Sequence, residues 1–187
     1  MNKNDLIKEL RTIKNAMRIY RDKSADFVLS HPETLPYLLE IIFENPKDRI
    51  SVKASWILEL VCLKNPLLIA PHLDYFTDNL QKISHESALR SLSKICMFIS
   101  KAYYLKKEND LIDMLTINHK EKIIELSFDW MIDNQRVAIQ VYAMDTLFLM
   151  GTEFDWIHPE LKITLQQNIS KGSKGYKAHA KMILSKI

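Results

Sequence analysis

Four apolar helical segments align on Ala-x-x-x-Leu, at Ala54 and Leu58, Ala88 and Leu92, Ala143 and Leu147, and Ala180 and Leu184. The spacings are 34, 55 and 37 residues, with the long one containing an insertion expected around 106–117. Self-similarity at this period marks stacked two-helix units. The surroundings repeat as well. Ile41-Ile42-Phe43-Glu44-Asn45 and Val52 lie 89 residues before Trp130-Met131-Ile132-Asp133-Asn134 and Val141, and Pro71-x-Leu73 lies 88 before Pro159-x-Leu161. A small residue lets the second helix of each pair approach its neighbours closely, and Leu one turn later fills the space beside it.

Turn chemistry points the same way. Only Gly151, Gly172 and Gly175 occur, all in the last fifth of the chain, which leaves little material for tight strand hairpins. The fold class expected is all-α. With 47% apolar residues, 187 residues can bury a core as a single domain, 1–187. No run of about 18 apolar residues offers a membrane span, and Met1-Asn2-Lys3-Asn4-Asp5 lacks the apolar core of a secretory signal, so a cytoplasmic location is expected. Cys62 and Cys96 lie on apolar helical segments, 34 residues apart, and read as equivalent buried thiols. Charge is uneven: residues 1–23 carry +4, residues 161–187 carry +6 with no acid, and the middle carries −7.

In chain order, Leu6, Leu10, Ile13, Met17 and Tyr20 predict one amphipathic capping helix from Asn4 or Asp5 to about Arg21. Lys8, Arg11, Lys14, Arg18 and Arg21 would share an adjoining face. A short segment, 24–30, leads to His31-Pro32-Glu33-Thr34-Leu35-Pro36, with Thr34 as helix cap. Asn45-Pro46-Lys47-Asp48 turns into the helix of Ala54. Asn65-Pro66 closes that hairpin, Leu73 to Leu80 begins the next, and a long partner helix runs from Ser84 towards Tyr104. Lys106-Lys107-Glu108-Asn109-Asp110 is a polar break, followed by a short helix at Leu111–Leu115. Asn118 with Glu121 has capping-box spacing at the start of the third hairpin. Asp133-Asn134-Gln135 turns into the helix of Ala143, Gly151 terminates it, and Trp156 opens a fourth pair whose last helix begins at Tyr176.

Leu35-Pro36-Tyr37-Leu38-Leu39-Glu40, a turn with Asp48, then Val52-Lys53-Ala54 with Leu58 resembles the repeat of HEAT-like and armadillo-like proteins. That resemblance covers most of 31–187. It implies an α-α superhelix of about four helical hairpins behind an N-terminal capping helix. A narrower resemblance lies in Ala70-Pro71-His72-Leu73-Asp74-Tyr75-Phe76-Thr77, Ile99-Ser100-Lys101-Ala102-Tyr103-Tyr104, Val141-Tyr142-Ala143-Met144-Asp145-Thr146-Leu147-Phe148 and Trp156-Ile157-His158-Pro159-Glu160-Leu161. These strings are similar to a family of small bacterial proteins carried under the name adenylosuccinate lyase. The lyases proper use a Gly/Ser-rich loop to supply a catalytic serine. Here Ser170-Lys171-Gly172-Ser173-Lys174-Gly175 lacks the signature's Met and Pro-x-Lys elements and reads as a turn, so no lyase residue carries over.

The six histidines form no HxxxH or HExxH pair, and neither a phosphate loop, a GxSxG elbow nor a dinucleotide fingerprint occurs. Asp74, Asp78, Asp129, Asp133, Asp145 and Asp155 offer carboxylates without a spacing that selects a pair. Neither metal, cofactor nor catalytic residue is expected. Trp56 and Trp130 fall inside apolar runs and read as core, whereas Trp156 is the tryptophan expected at the surface. The expected function is a non-catalytic module binding a protein or peptide partner. Its candidate surface comprises Arg11, Lys14, Arg18, Arg21, Tyr103, Tyr104 and Trp156. The alternative is a nucleic-acid binder using the basic ends, related in shape to HEAT-like alkylpurine glycosylases; an acidic middle disfavours a duplex along the whole surface.

Overall fold

The computed structural model describes residues 2–106, 109, 111–133 and 135–187. Among these residues the regular structure is entirely helical, so the chain is all-α. Its contacts fall into two compact units, Met1–Ile95 and Cys96–Ile187, with the division inside one long helix. None of the described helices is long and apolar enough to cross a membrane.

The first unit begins with α1 (Lys3–Thr12), capped by a reciprocal pair in which Asn2 accepts from the Asp5 amide at 3.1 Å and Asp5 accepts from the Asn2 amide at 3.2 Å. Leu6, Leu10 and Ile13 are buried as the periodicity requires, but the single capping helix expected through Arg21 is in fact two helices. Ile13 turns to extended backbone, and the Asn15 side chain accepts from the Met17 amide at 2.9 Å, a local bond that competes with helix continuation. Met17, expected in the core, is 59% exposed. Then α2 (Arg18–Ser30) takes in the short segment 24–30 and buries Ser24, Ala25 and Val28.

A 3-10 turn, Pro32–Thr34, leads into α3 (Leu35–Glu44). Thr34 does not cap it by its side chain: its hydroxyl donates instead to the His31 carbonyl at 2.7 Å. Asp48 ends the following turn and caps α4 (Arg49–Lys64), accepting from the Ile50 amide. Both α2 and α3 pack on α4. A 3-10 segment, Pro66–His72, and α5 (Leu73–Asn79) follow, with Phe76 fully buried and edge-on to Phe43 at 6.2 Å. The long helix is α6 (Glu86–Leu105).

The second unit takes the last turns of α6, then α7 (Leu111–Met114), α8 (Ile117–Ile132), α9 (Val137–Met150), α10 (Ile157–Asn168) and α11 (Lys174–Leu184). Lys107, Glu108 and Asp110 of the expected polar break, and Asn134 of the expected turn, lie outside the described residues. The cap of α8 is Thr116 with His119, not Asn118 with Glu121: the Thr116 hydroxyl accepts from the His119 amide while His119 Nδ1 accepts from the Thr116 amide. Gly151 ends α9 as expected, though by a different mechanism. Its φ is −64°, so no left-handed backbone is involved. The His158 imidazole occupies the space a side chain would need: a Cβ there would meet its Cδ2 at 2.1 Å, while its Nε2 lies 2.9 Å from the Phe148 carbonyl.

The alanines of the sequence pattern are all fully buried, as are Leu58, Leu92 and Leu147, whereas Leu184 is half-buried. Each fully buried Leu contributes about 1.5–3 kcal/mol over its exposed state. Cys62 and Cys96 are buried free thiols, and burial pushes the Cys62 thiol far above its usual range. Trp130 is core; Trp56 is half-buried and donates its indole N–H to the Ser87 hydroxyl at 2.9 Å.

Candidate functional site

The residues selected from the sequence fall into both units. In the first, Arg11 is exposed on α1, Lys14 lies in the connector 6.0 Å from the Tyr20 ring, and Arg18 Nε donates to both Asp22 oxygens at 2.9 Å. Arg21 is half-buried, its guanidinium 6.0 Å from the Trp56 ring centre and its Nε buried without a hydrogen-bond acceptor among the described residues. Burial lowers its pKa, against the attraction of Glu59. The break at 13–17 thus distributes these bases over two helices and a connector. In the second unit Trp156 is 55% exposed and stacks on Phe128 at 5.8 Å and 23°.

Tyr103 and Tyr104 meet edge-on at 4.7 Å and surround a charge that the sequence did not single out. Lys120 of α8 is almost wholly buried, yet it donates to the Tyr103 hydroxyl at 2.8 Å and to both Glu153 oxygens at 2.9 and 2.7 Å. Tyr104 donates to Glu153 at 2.6 Å. Burial and then the Glu153 hydrogen bond push the Tyr104 phenol up, so it does not act as a base near neutrality. Burial would raise Glu153 too, but the bonds from Lys120 and Tyr104 outweigh it and hold that carboxyl below its ordinary value. Every polar group of this cluster is satisfied, the condition under which a buried charge is tolerated. It pins α6, α8 and the segment after α9. No spacing rule links residues 17 and 33 positions apart, which is why the sequence could not bring them together.

Two helix pairs, α4 with the first turns of α6 and α9 with α11, make contacts at the same offsets from their alanines. The residue two after the first alanine reaches the residue one before the second: Trp56 bonds Ser87, and Asp145 meets His179 Nε2 at 2.7 Å. The residue five after the first alanine reaches the residue six after the second: Glu59 pairs with Lys94 at 2.9 Å, and Lys186 lies over the Phe148 ring at 5.5 Å.

The chemistry at these shared positions differs. In the first unit Glu59, buried, accepts from Ser91 at 2.7 Å and has Arg90 at 3.6 Å as well as Lys94. In the second, Phe148 replaces the acid, while Met182, Ile183 and Lys186 stand where Arg90, Ser91 and Lys94 stand. The result is an open groove of about 340 Å³, floored by Phe148, Leu149 and Ile183 and edged by Leu105, Met182, Lys101 and Lys186. Asp145 sits at its side, 3.3 Å from Lys101. Burial raises the Asp145 carboxyl, but the His179 hydrogen bond and the charges of His179 and Lys101 outweigh burial and hold it below the usual range.

No family model, curated protein or solved structure matches this chain. Its own side chains are therefore what bears on function. Among the described residues, no three His, Cys, Asp or Glu side chains gather where they could hold a metal ion. Asp145 and His179 are a hydrogen-bonded acid and base, but no Ser, Thr or Cys nucleophile lines the groove beside them. What the groove offers is apolar area with cations at its edge.

Proposed function

We propose that this chain is a HEAT-like helical-repeat module that binds a protein or peptide partner and performs no catalysis. In this reading about four helical hairpins follow the N-terminal helices as an α-α superhelix, each second helix carrying one buried alanine. The observation that carries it is the shared register of the two helix pairs: contacts at the same two offsets from Ala54 and Ala88 recur from Ala143 and Ala180. Repeats make related surfaces, and substitution at one of them converts a structural contact into a binding groove. The groove edged by Lys101, Met182 and Lys186 supports the second unit as the binding region.

Nucleic-acid binding is the weaker reading, because Arg18 is paired with Asp22 and Arg21 is half-buried against Trp56. The test is affinity capture from native lysate with the tagged chain, run beside duplex and single-strand titrations and an adenylosuccinate turnover assay. The expected result is a reproducible protein partner, flat nucleic-acid titrations at low salt and no fumarate release. Capture of nothing reproducible, together with nucleic-acid affinity that falls steeply with salt, would replace this function with the alternative; fumarate release would make the chain an enzyme.

A further inference from the structure

We infer that the groove between α6, α9 and α11 binds an acidic amphipathic peptide segment, apolar side chains on the Phe148 floor and a carboxylate on Lys186. The inference rests on the interaction-module reading and names the chemistry of the partner.

The first unit shows what the site does when the chain fills it from within. There Lys94 has a carboxylate, Glu59, at 2.9 Å, and the acid is completed by Ser91 and Arg90. At the matching position in the second unit Phe148 takes the place of the acid, and Lys186 keeps the lysine. Among the described residues Lys186 makes no ion pair; its ammonium faces only the Phe148 ring. The other cation at the edge, Lys101, is already engaged by Asp145 at 3.3 Å, and His179 Nε2 meets the same carboxylate at 2.7 Å. The unmatched charge of the groove is therefore positive, and the stretch 161–187, which contributes Met182, Ile183 and Lys186 to it, carries six lysines and no acid.

Shape selects the apolar part of the ligand. The groove is open to solvent and its edge is soft, with Leu105 65% and Met182 41% exposed. Met adapts to varied apolar surfaces at little cost. A volume of about 340 Å³ takes two or three apolar side chains of a longer segment that passes over the opening. A helical segment presents such residues at positions i, i+3 and i+4, with acids beside them. A carboxylate over Lys186 would supply from outside the group that Glu59 supplies within the first unit.

The experiment is fluorescence anisotropy with the full chain and a fluorescein-labelled 14-residue helical peptide, Leu on one face and Glu flanking it. Two control peptides replace Glu by Lys or Leu by Ser. Binding should be strongest for the acidic amphipathic peptide and should weaken with salt. Lys186→Glu and Met182→Glu, both at exposed positions, should each weaken it about tenfold or more, with thermal melts unchanged. Equal binding of the Lys and Glu peptides, no detectable binding of the acidic one, or affinity untouched by either substitution would overturn the inference. Displacement of the peptide by laurate at lower concentration than by unlabelled peptide would also overturn it, assigning the groove to a free amphiphile. Failure here is separable from failure of the interaction reading: a lysate partner retained by Lys186→Glu leaves that reading standing and removes only the groove.

Discussion

The α4–α6 and α9–α11 pairs are built on the same register and use it for different ends. In the first, the position five residues after the alanine holds Glu59, and Ser91, Lys94 and Arg90 close over it. In the second, the same position holds Phe148, Lys186 lies on the ring, and the space beside it stays open. A buried carboxylate and its cations make a contact that is self-sufficient and specific. An aromatic ring makes one that is apolar, adaptable and incomplete in charge. The same frame holds a closed ionic seam where Glu59, Arg90, Ser91 and Lys94 meet, and an open groove where Phe148, Met182, Ile183 and Lys186 take those places.

The largest expected effect strikes the closed site. Replacing Glu59 by Ala removes an acid that is 4% exposed and leaves Ser91, Lys94 and Arg90 facing each other, at a cost of about 3 kcal/mol in urea melts. At the matching place in the open site, Phe148→Ala loses only half-buried packing and should cost about half as much. Equal costs would erase the distinction between the two pairs.

Next in size is Lys120→Ala, which strips Tyr103 and Glu153 of their shared donor. Glu153 is partly exposed and can rehydrate, so about 2 kcal/mol is expected rather than the full penalty of a broken buried pair. Native-state hydrogen exchange should report the loss in α8 and α9. Uniform loss across both units would show that the pin acts beyond its own unit.

The contacts two residues after each alanine differ in their response to acid. Asp145 has a folded pKa below its unfolded value, so its stabilising contribution is present above the ordinary Asp range near 3.9 and is lost as pH falls through the depressed value. Glu153 acts in the same direction. Asp145→Asn should therefore flatten part of the acid dependence of exchange in α9 and α11. Its counterpart, Ser87→Ala, removes one hydrogen bond to the Trp56 indole and should cost about 0.5–1 kcal/mol, equally at pH 4 and pH 7. Acid-dependent loss for Ser87→Ala, or none restored by Asp145→Asn, would break the comparison.

The all-helical class, most element spans and the buried alanines were legible because a 3.6-residue period reports which face is hidden. Ala54, Ala88, Ala143 and Ala180 each stand one helical turn before a Leu on an apolar segment. The division of the N-terminal helix was not legible: Leu6, Leu10, Ile13, Met17 and Tyr20 keep helical period, yet Ile13 turns to extended backbone and the Asn15 side chain takes up the Met17 amide. The caps of α3 and α8 went astray for the same local reason, since Thr34 and Thr116 differ in backbone conformation, extended at Thr116 alone. Trp156 was correctly expected at the surface. The groove was hidden because Phe148 lies on α9 and Lys186 in the turn after α11, 38 residues away in sequence. The signal was present all the same: aligned on the alanines, Glu59 falls on Phe148 and Lys94 on Lys186, an acid exchanged for an aromatic ring with its lysine retained.

The most direct test of this contrast is an NMR titration of methyl-labelled chain with the acidic amphipathic peptide. The account predicts shifts confined to the Met182, Ile183 and Leu149 methyls, with Ile57, Leu58 and the α4 surroundings of Glu59 silent. Shifts centred on the first unit, or spread evenly through both, would contradict it.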